Sequence, residues 1–201
     1  MKNLSPEYGY NLLMENRVSD KFAGLALFIG VAQFLMMVMI AEFLYPGYSV
    51  SQNYISDLGV GSTAYIFNSS IIVLGVLALV SAYFLRSFSV AAAIITVILA
   101  IGAIGVGFVN ENHPPFHLIF ALLAFGGSSI LPYAVLHKTR KPIAVVWAIL
   151  GTIGLIALIL FASHDYLGLG EGGMERMIMY PDLIWAMSFG GWLTRETGNK
   201  D

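Results

Sequence analysis

Residues 22–44 read FAGLALFIGVAQFLMMVMIAEFL, an apolar run in which Glu42, close to its end, is the one charged side chain. A helix adds about 1.5 Å per residue, so about 20 mostly apolar residues are needed to cross the hydrocarbon core of a bilayer. The run meets this requirement. It therefore predicts a membrane-spanning helix.

Five later stretches have the same character, and all six together predict an all-α integral membrane protein with six transmembrane helices in one bundle. The stretches are residues 64–85, 89–109, 116–136, 143–163 and 174–193. The chain is 58% hydrophobic and 11% charged, whereas soluble domains are about 25% charged. Pro181 and Asp182 interrupt the last stretch, and the proline is predicted to kink that helix or to mark its true start. We expect one domain over residues 1–201.

The charge and the cysteine count exclude several classes of function. The net charge is −2 and no basic run is present, so the sequence does not predict a nucleic-acid partner. Cysteine is absent, which excludes disulfides, thiolate zinc sites and cysteine nucleophiles. Any metal site would need histidine and carboxylate ligands.

The basic residues indicate the orientation in the membrane. With six spans, nine of the ten lie on one side and Arg176 alone lies on the other. The nine are Lys2, Arg17, Lys21, Arg86, Lys138, Arg140, Lys141, Arg195 and Lys200. Basic loops face the cytoplasm. The sequence thus predicts a protein of the cell membrane with both termini cytoplasmic, residues 1–20 forming an arm and residues 194–201 a tail.

Three segments on the non-cytoplasmic side hold the residues that are capable of chemistry: 54–59, 110–117 and 164–182. Ionisable groups at the ends of membrane helices or within them are costly and usually functional. The candidate catalytic residues are Asp57, His117, Glu175 and Arg176. The candidate metal ligands are His113, His117, His164 and Asp165.

These residues allow more than one chemistry. His117 with a second histidine and an acid would bind a divalent metal such as zinc and activate water; without a metal, Asp57 or Glu175 would act as general base. Arg176 would hold a lipid phosphate through two hydrogen bonds. A third hypothesis, which the sequence favours least, is a haem with His117 and His164 as its axial ligands.

Each candidate also has a structural interpretation. Asp57 can bind backbone N–H groups of its own loop. His113 can be an ordinary loop residue, and His117 can bond to a neighbouring helix. Glu175 and Arg176 can pair with other charges to hold the sixth helix in place.

Several short motifs resemble an archaeal and bacterial family, the domain of unknown function 998. The motifs are YPGYS at residues 45–49, NYISDLG at 53–59 and IFN at 66–68, followed by a glycine-rich third span, a histidine opening the fourth, a Glu-Arg pair at 175–176 and Trp185. The resemblance implies a six-helix membrane fold and no settled activity. The Ile-Ser-Asp element is more distantly similar to DRAM-type proteins and to factors that remodel the lipid tails of GPI anchors, which favours a lipid ligand.

The sequence therefore leaves three functions open. The first is a membrane-embedded hydrolase or transferase that acts on a lipid at the outer leaflet. The second is a non-enzymatic transporter or binding protein for an ion or small molecule, since acids within a bundle often mark such pathways. The third is a structural subunit of a membrane complex. Membrane lipid is the expected partner, and the sequence does not decide between a homo-oligomer and partner proteins.

Overall fold

The computed structural model describes residues 6–195, with side chains from residue 15 onward except that of residue 16. This part of the chain is all-helical. The six long helices are α1 (Pro6–Leu44), α2 (Ala64–Phe88), α3 (Val90–Phe108), α4 (Pro114–Val135), α5 (Ile143–Ala162) and α6 (Gly170–Thr194). Short 3₁₀ turns lie at Ser56–Gly59, Gly61–Thr63 and Leu136–Lys138. The parts of the predicted arm and tail at residues 1–5 and 196–201 lie outside the described residues.

The helices pack as a closed ring in chain order, because each contacts the next and α6 returns to α1. Helix α6 also touches α4 across the ring. Consecutive helices run in opposite directions with short connections, so the loops divide between the two ends of the ring. One end carries residues 45–63, 109–113 and 163–169, and these are the connections in which the sequence placed the candidate site.

Five of the six helices, α1 to α5, are long and apolar enough to cross a membrane. The polytopic membrane architecture is thus confirmed, while a sixth crossing by α6 stays a prediction. Helix α6 is not among the five because of its polar content, which includes Glu175, Arg176 and Asp182, yet all three of these side chains are buried. Helix α6 turns these charged side chains toward its neighbours and away from lipid, and ionisable groups in membrane helices are tolerated when they face the interior of the bundle.

Helix α6 differs from the sequence prediction in its start and in the effect of its proline. It begins at Gly170, four residues before the predicted start at Met174, and continues through Pro181 to Thr194. Pro181 is buried, and neighbouring helices commonly allow a proline to remain inside a membrane helix. Pro181 therefore does not mark the helix start.

The small residues of α3 allow α4 to approach closely, as their composition predicts. A Cβ added at Gly102 would lie 2.4 Å from the Ala124 nitrogen and 2.7 Å from the Phe120 oxygen. At Gly105 it would overlap the Phe120 ring. The fourth helix is held against the third along this stripe, which fixes the position of its first turn and hence of His117.

Candidate functional site

The loop at residues 45–55 folds over the beginning of α6 and is held there by Arg176. The guanidinium forms an ion pair with Glu42 at 2.5 Å and donates to the Tyr48 hydroxyl at 2.6 Å. Its other terminal nitrogen donates to the carbonyls of Val50 at 2.9 Å and Asn53 at 3.2 Å. Arg176 is 4% exposed. Its terminal nitrogens are thus occupied by protein acceptors, in agreement with the structural interpretation of this residue.

Glu175 and Asp57 hold the next part of the same loop. The Ile55 N–H donates to Glu175 Oε2 at 2.5 Å. Asp57 Oδ2 accepts from the Asn53 side-chain amide at 2.8 Å and from the Tyr54 N–H at 3.1 Å. Asp57 therefore bonds within its loop, as its structural interpretation predicts, and this organises the Ile-Ser-Asp turn beside α6.

Glu111, from the α3–α4 connection, completes a carboxyl pair at this end. Its Oε2 accepts a hydrogen bond from the Ser56 hydroxyl at 3.0 Å, and the Asp57 carboxyl is close enough to interact with it electrostatically. Burial, followed by the neighbouring Asp57 carboxyl, raises the pKa of Glu111 from 4.5 to about 7, with the Ser56 hydroxyl acting in the opposite direction. Glu111 therefore carries a proton in a substantial fraction of molecules at neutral pH.

The raised pKa of Glu111 predicts a pH dependence of stability. Between pH 4.5 and about 7 the folded state binds more protons than the unfolded state, so this contribution is fully present below pH 4.5 and is lost as the pH rises through about 7. We expect Glu111→Gln to flatten the decline of Tm with pH over this window, measured in lipid nanodiscs. Asp165→Asn, an exposed carboxylate on the same side, is the control that keeps the decline. An equal decline in the wild type and in Glu111→Gln would contradict the assignment.

Below this loop the ring encloses a cavity of about 110 Å³. Its wall is formed by α1, α2, α3, α4 and α6 and by residues 55–56, with α5 outside it. The wall is almost wholly apolar, with Phe34, Phe67 and Phe125 among its side chains. Its polar members are Ser56, Thr96, His117, Ser128, Glu175 and Asp182.

His117 lies in the first turn of α4 and has a fixed ring orientation. Its Nδ1 is 2.7 Å from the Val109 carbonyl oxygen. A carbonyl can only accept, so Nδ1 carries the hydrogen and the neutral ring has its free lone pair on Nε2. Because His117 also lines the cavity, it is the predicted catalytic residue whose environment suits a proton acceptor best.

The predicted metal ligands do not assemble. His113 is exposed and its ring contacts Asn110 at 3.4 Å. His164 is exposed and its ring bonds to the Tyr166 hydroxyl at 2.9 Å, while Asp165 accepts from the Leu167 N–H. Within residues 6–195, no three His, Asp or Glu side chains are grouped to hold a metal. The predicted zinc site gains no support from this arrangement, because His113, His164 and Asp165 are each turned to their own loop and do not form a metal-binding group with His117.

Asp182 is the residue of this interior that the sequence assignment omitted. It is 2% exposed, and its Oδ2 accepts from the hydroxyls of Ser128 at 2.5 Å and Ser129 at 2.7 Å. The sequence carries this signal in two separate parts, an acid within the sixth stretch and paired serines in the fourth. The acid and the serines come together only because α4 and α6 are in contact in the folded protein.

The family comparison covers this whole site. The family model described as "Protein of unknown function (DUF998)" matches residues 28–191. The chain belongs to the DUF998 family. The matched region of this DUF998 protein contains the Arg176 contacts, the carboxyl pair and all cavity residues apart from Leu27. No curated protein and no solved structure matches the chain.

Proposed function

We propose that this DUF998 protein is a membrane-embedded lipid hydrolase of the cell membrane, with its cavity open toward the non-cytoplasmic side and both termini in the cytoplasm. The observation that carries the proposal is the cavity itself, which is apolar along the bundle and has Ser56, His117 and Glu175 at its loop end. Ligand sites typically combine an apolar wall with a few convergent polar groups. A lipid ester fits such a site, because its alkyl chain would lie along the apolar wall and its ester group and polar head would lie at the polar loop end.

The size of the cavity restricts what it can hold. Its volume of about 110 Å³ is somewhat below that of an engineered apolar cavity of about 150 Å³ that takes benzene. The space therefore suits a short segment of one alkyl chain next to the scissile bond. The remainder of the lipid would stay outside the ring.

His117 is suited to activate water. In the proposed reaction Nε2 of the neutral ring removes a proton from a water molecule, and the hydroxide attacks the ester carbonyl carbon. The C–O bond to the head group then breaks, and the imidazolium returns the proton to the leaving alkoxide. One ester and one water give one fatty acid and one alcohol, and the Val109 carbonyl keeps the ring oriented throughout. A transferase would use the same steps with an alcohol in place of water.

Glu175 lines the same cavity as His117 and assists in this proposal. Its Oε2 is fixed by the Ile55 N–H, while Oε1 has no protein partner among the described residues. A carboxylate at this position would stabilise the imidazolium that forms during the reaction. Arg176 takes no direct part, because its terminal nitrogens are bound to the protein.

The test is ester hydrolysis by purified protein in nanodiscs made from a native lipid extract, with free fatty acid measured by mass spectrometry. General base catalysis contributes about 10²–10⁴-fold, so His117→Ala is expected to lose at least about 100-fold of the rate. His164→Ala is the matched control, since it removes an exposed histidine at the same end, and it should retain the wild-type rate. Equal rates for both variants at unchanged Tm would contradict the role of His117, and no release above protein-free nanodiscs would contradict the hydrolase.

A further inference from the structure

The second carboxyl of the cavity, Asp182, sits in surroundings that contain no compensating charge. It faces α4 and α5, and neither helix contains a Lys, Arg, Asp or Glu residue. Their titratable side chains are His117, at the loop end of α4, and Tyr133, whose hydroxyl bonds to Thr152. On α6 the nearest acid toward the loop end is Glu175, two turns away. Asp182 therefore has hydroxyl partners but no cation.

The hydrogen bonds around Asp182 indicate where a proton lies. The Ser128 hydroxyl is within reach of two acceptors, the Phe125 carbonyl at 3.0 Å and Asp182 Oδ2 at 2.5 Å. One hydroxyl has one hydrogen and cannot donate to both. If Oδ2 carries a proton, it donates to Ser128, which in turn donates to Phe125, and every bond in the chain has a donor.

The second carboxyl oxygen supports the same conclusion. Oδ1 is buried and has no hydrogen-bond partner. It lies against Gly154 of α5, where an added Cβ would be 2.7 Å away. A buried carboxylate oxygen without a donor carries a large desolvation cost, whereas the carbonyl oxygen of a neutral acid carries a smaller one.

We infer that Asp182 is a proton-binding site in the cavity wall, held as a neutral carboxylic acid at pH 7 by Ser128 and Ser129 of α4. A sodium ion is disfavoured as the occupant, because a hard cation needs about six oxygen ligands and the hydroxyls of Ser128 and Ser129 are the side-chain oxygens bonded here. The site is independent of the proposed hydrolysis, and it provides the cavity with a group whose charge can change when water enters.

The experiment is infrared spectroscopy of the protein in nanodiscs at pH 7, comparing the wild type with Asp182→Asn. The C=O stretching band of a protonated carboxylic acid is expected in the wild type and should be reduced by one group in Asp182→Asn. Identical spectra would show an ionised Asp182 and overturn the inference. Glu171→Gln is the control, because it removes a half-buried carboxyl group from the same helix. It should leave the band of Asp182 in place.

Two further measurements apply if Asp182→Asn does not fold. Ser128→Ala removes the accepting hydroxyl, so the band is expected to move to higher frequency without loss; an unmoved band would overturn the inference. Replacing potassium by sodium is expected to leave the wild-type Tm unchanged. A sodium-specific rise in Tm would identify a cation site instead.

Discussion

Arg176→Met is expected to lower the free energy of unfolding by about 3–5 kcal/mol, the usual cost of removing one partner from a buried ion pair. The change leaves the Glu42 carboxylate, 17% exposed, without its cation. The carbonyls of Val50 and Asn53 lose their donor in the same step. We expect the loop at residues 45–55 to detach from α6, which can be measured by reversible unfolding in mixed micelles.

The matched control is Arg195→Met, at the opposite end of the same helix. Arg195 is exposed, and its guanidinium donates to the Trp192 carbonyl and lies over the Trp192 ring, so a loss below about 1 kcal/mol is expected. The double variant Glu42→Gln with Arg176→Met should recover part of the loss, because no charge is left unpaired. A loss for Arg176→Met that is no larger than that for Arg195→Met would contradict the anchoring role.

Gly172→Ala is the second substitution with a large expected effect. Its Cβ would lie 1.9 Å from the Asn53 carbonyl oxygen and 2.7 Å from that of Val50. These are backbone atoms of the loop that Arg176 holds, so the loop must lift from α6. Overpacking costs about 1–3 kcal/mol and sometimes more, and it exceeds the gain of up to about 1 kcal/mol that alanine brings to a helix.

The neighbouring glycine provides the control for Gly172. A Cβ at Gly173 meets only the side chain of Leu169, the residue that precedes the same helix, at 3.0 Å. Gly173→Ala is therefore expected to leave Tm unchanged or to raise it slightly. An equal change of Tm in both alanine variants would contradict the close contact between the loop and α6.

The sequence predicted the helices well because each apolar stretch is long and the connections are short. The five apolar spans and the all-helical fold follow from hydropathy alone. Helix α6 was harder to predict, since its burial among neighbouring helices, and not its own hydropathy, accounts for its position. The close contact of its first turn with the loop, at Gly172, is a tertiary contact that no local pattern in the sequence shows.

The site was predicted in part. The sequence grouped Asp57, His117 and Glu175 at one end because alternating spans bring their segments together. It could not pair Arg176 with Glu42, 134 positions apart, or Asp182 with the serines of α4. Such pairs depend on which helix faces are in contact, and helical periodicity within one stretch does not determine that.

The most direct test of the lipid-binding cavity is photolabelling with a phospholipid that carries a diazirine near its ester bond, followed by peptide mass spectrometry. We expect label on cavity residues such as Phe125 and Met179, and we expect Ala103→Phe, which fills the cavity, to abolish it. Ala91→Phe, on the exposed face of the same helix, should leave the labelling intact. Label confined to outward-facing residues such as Ile119, with no effect of Ala103→Phe, would contradict the account.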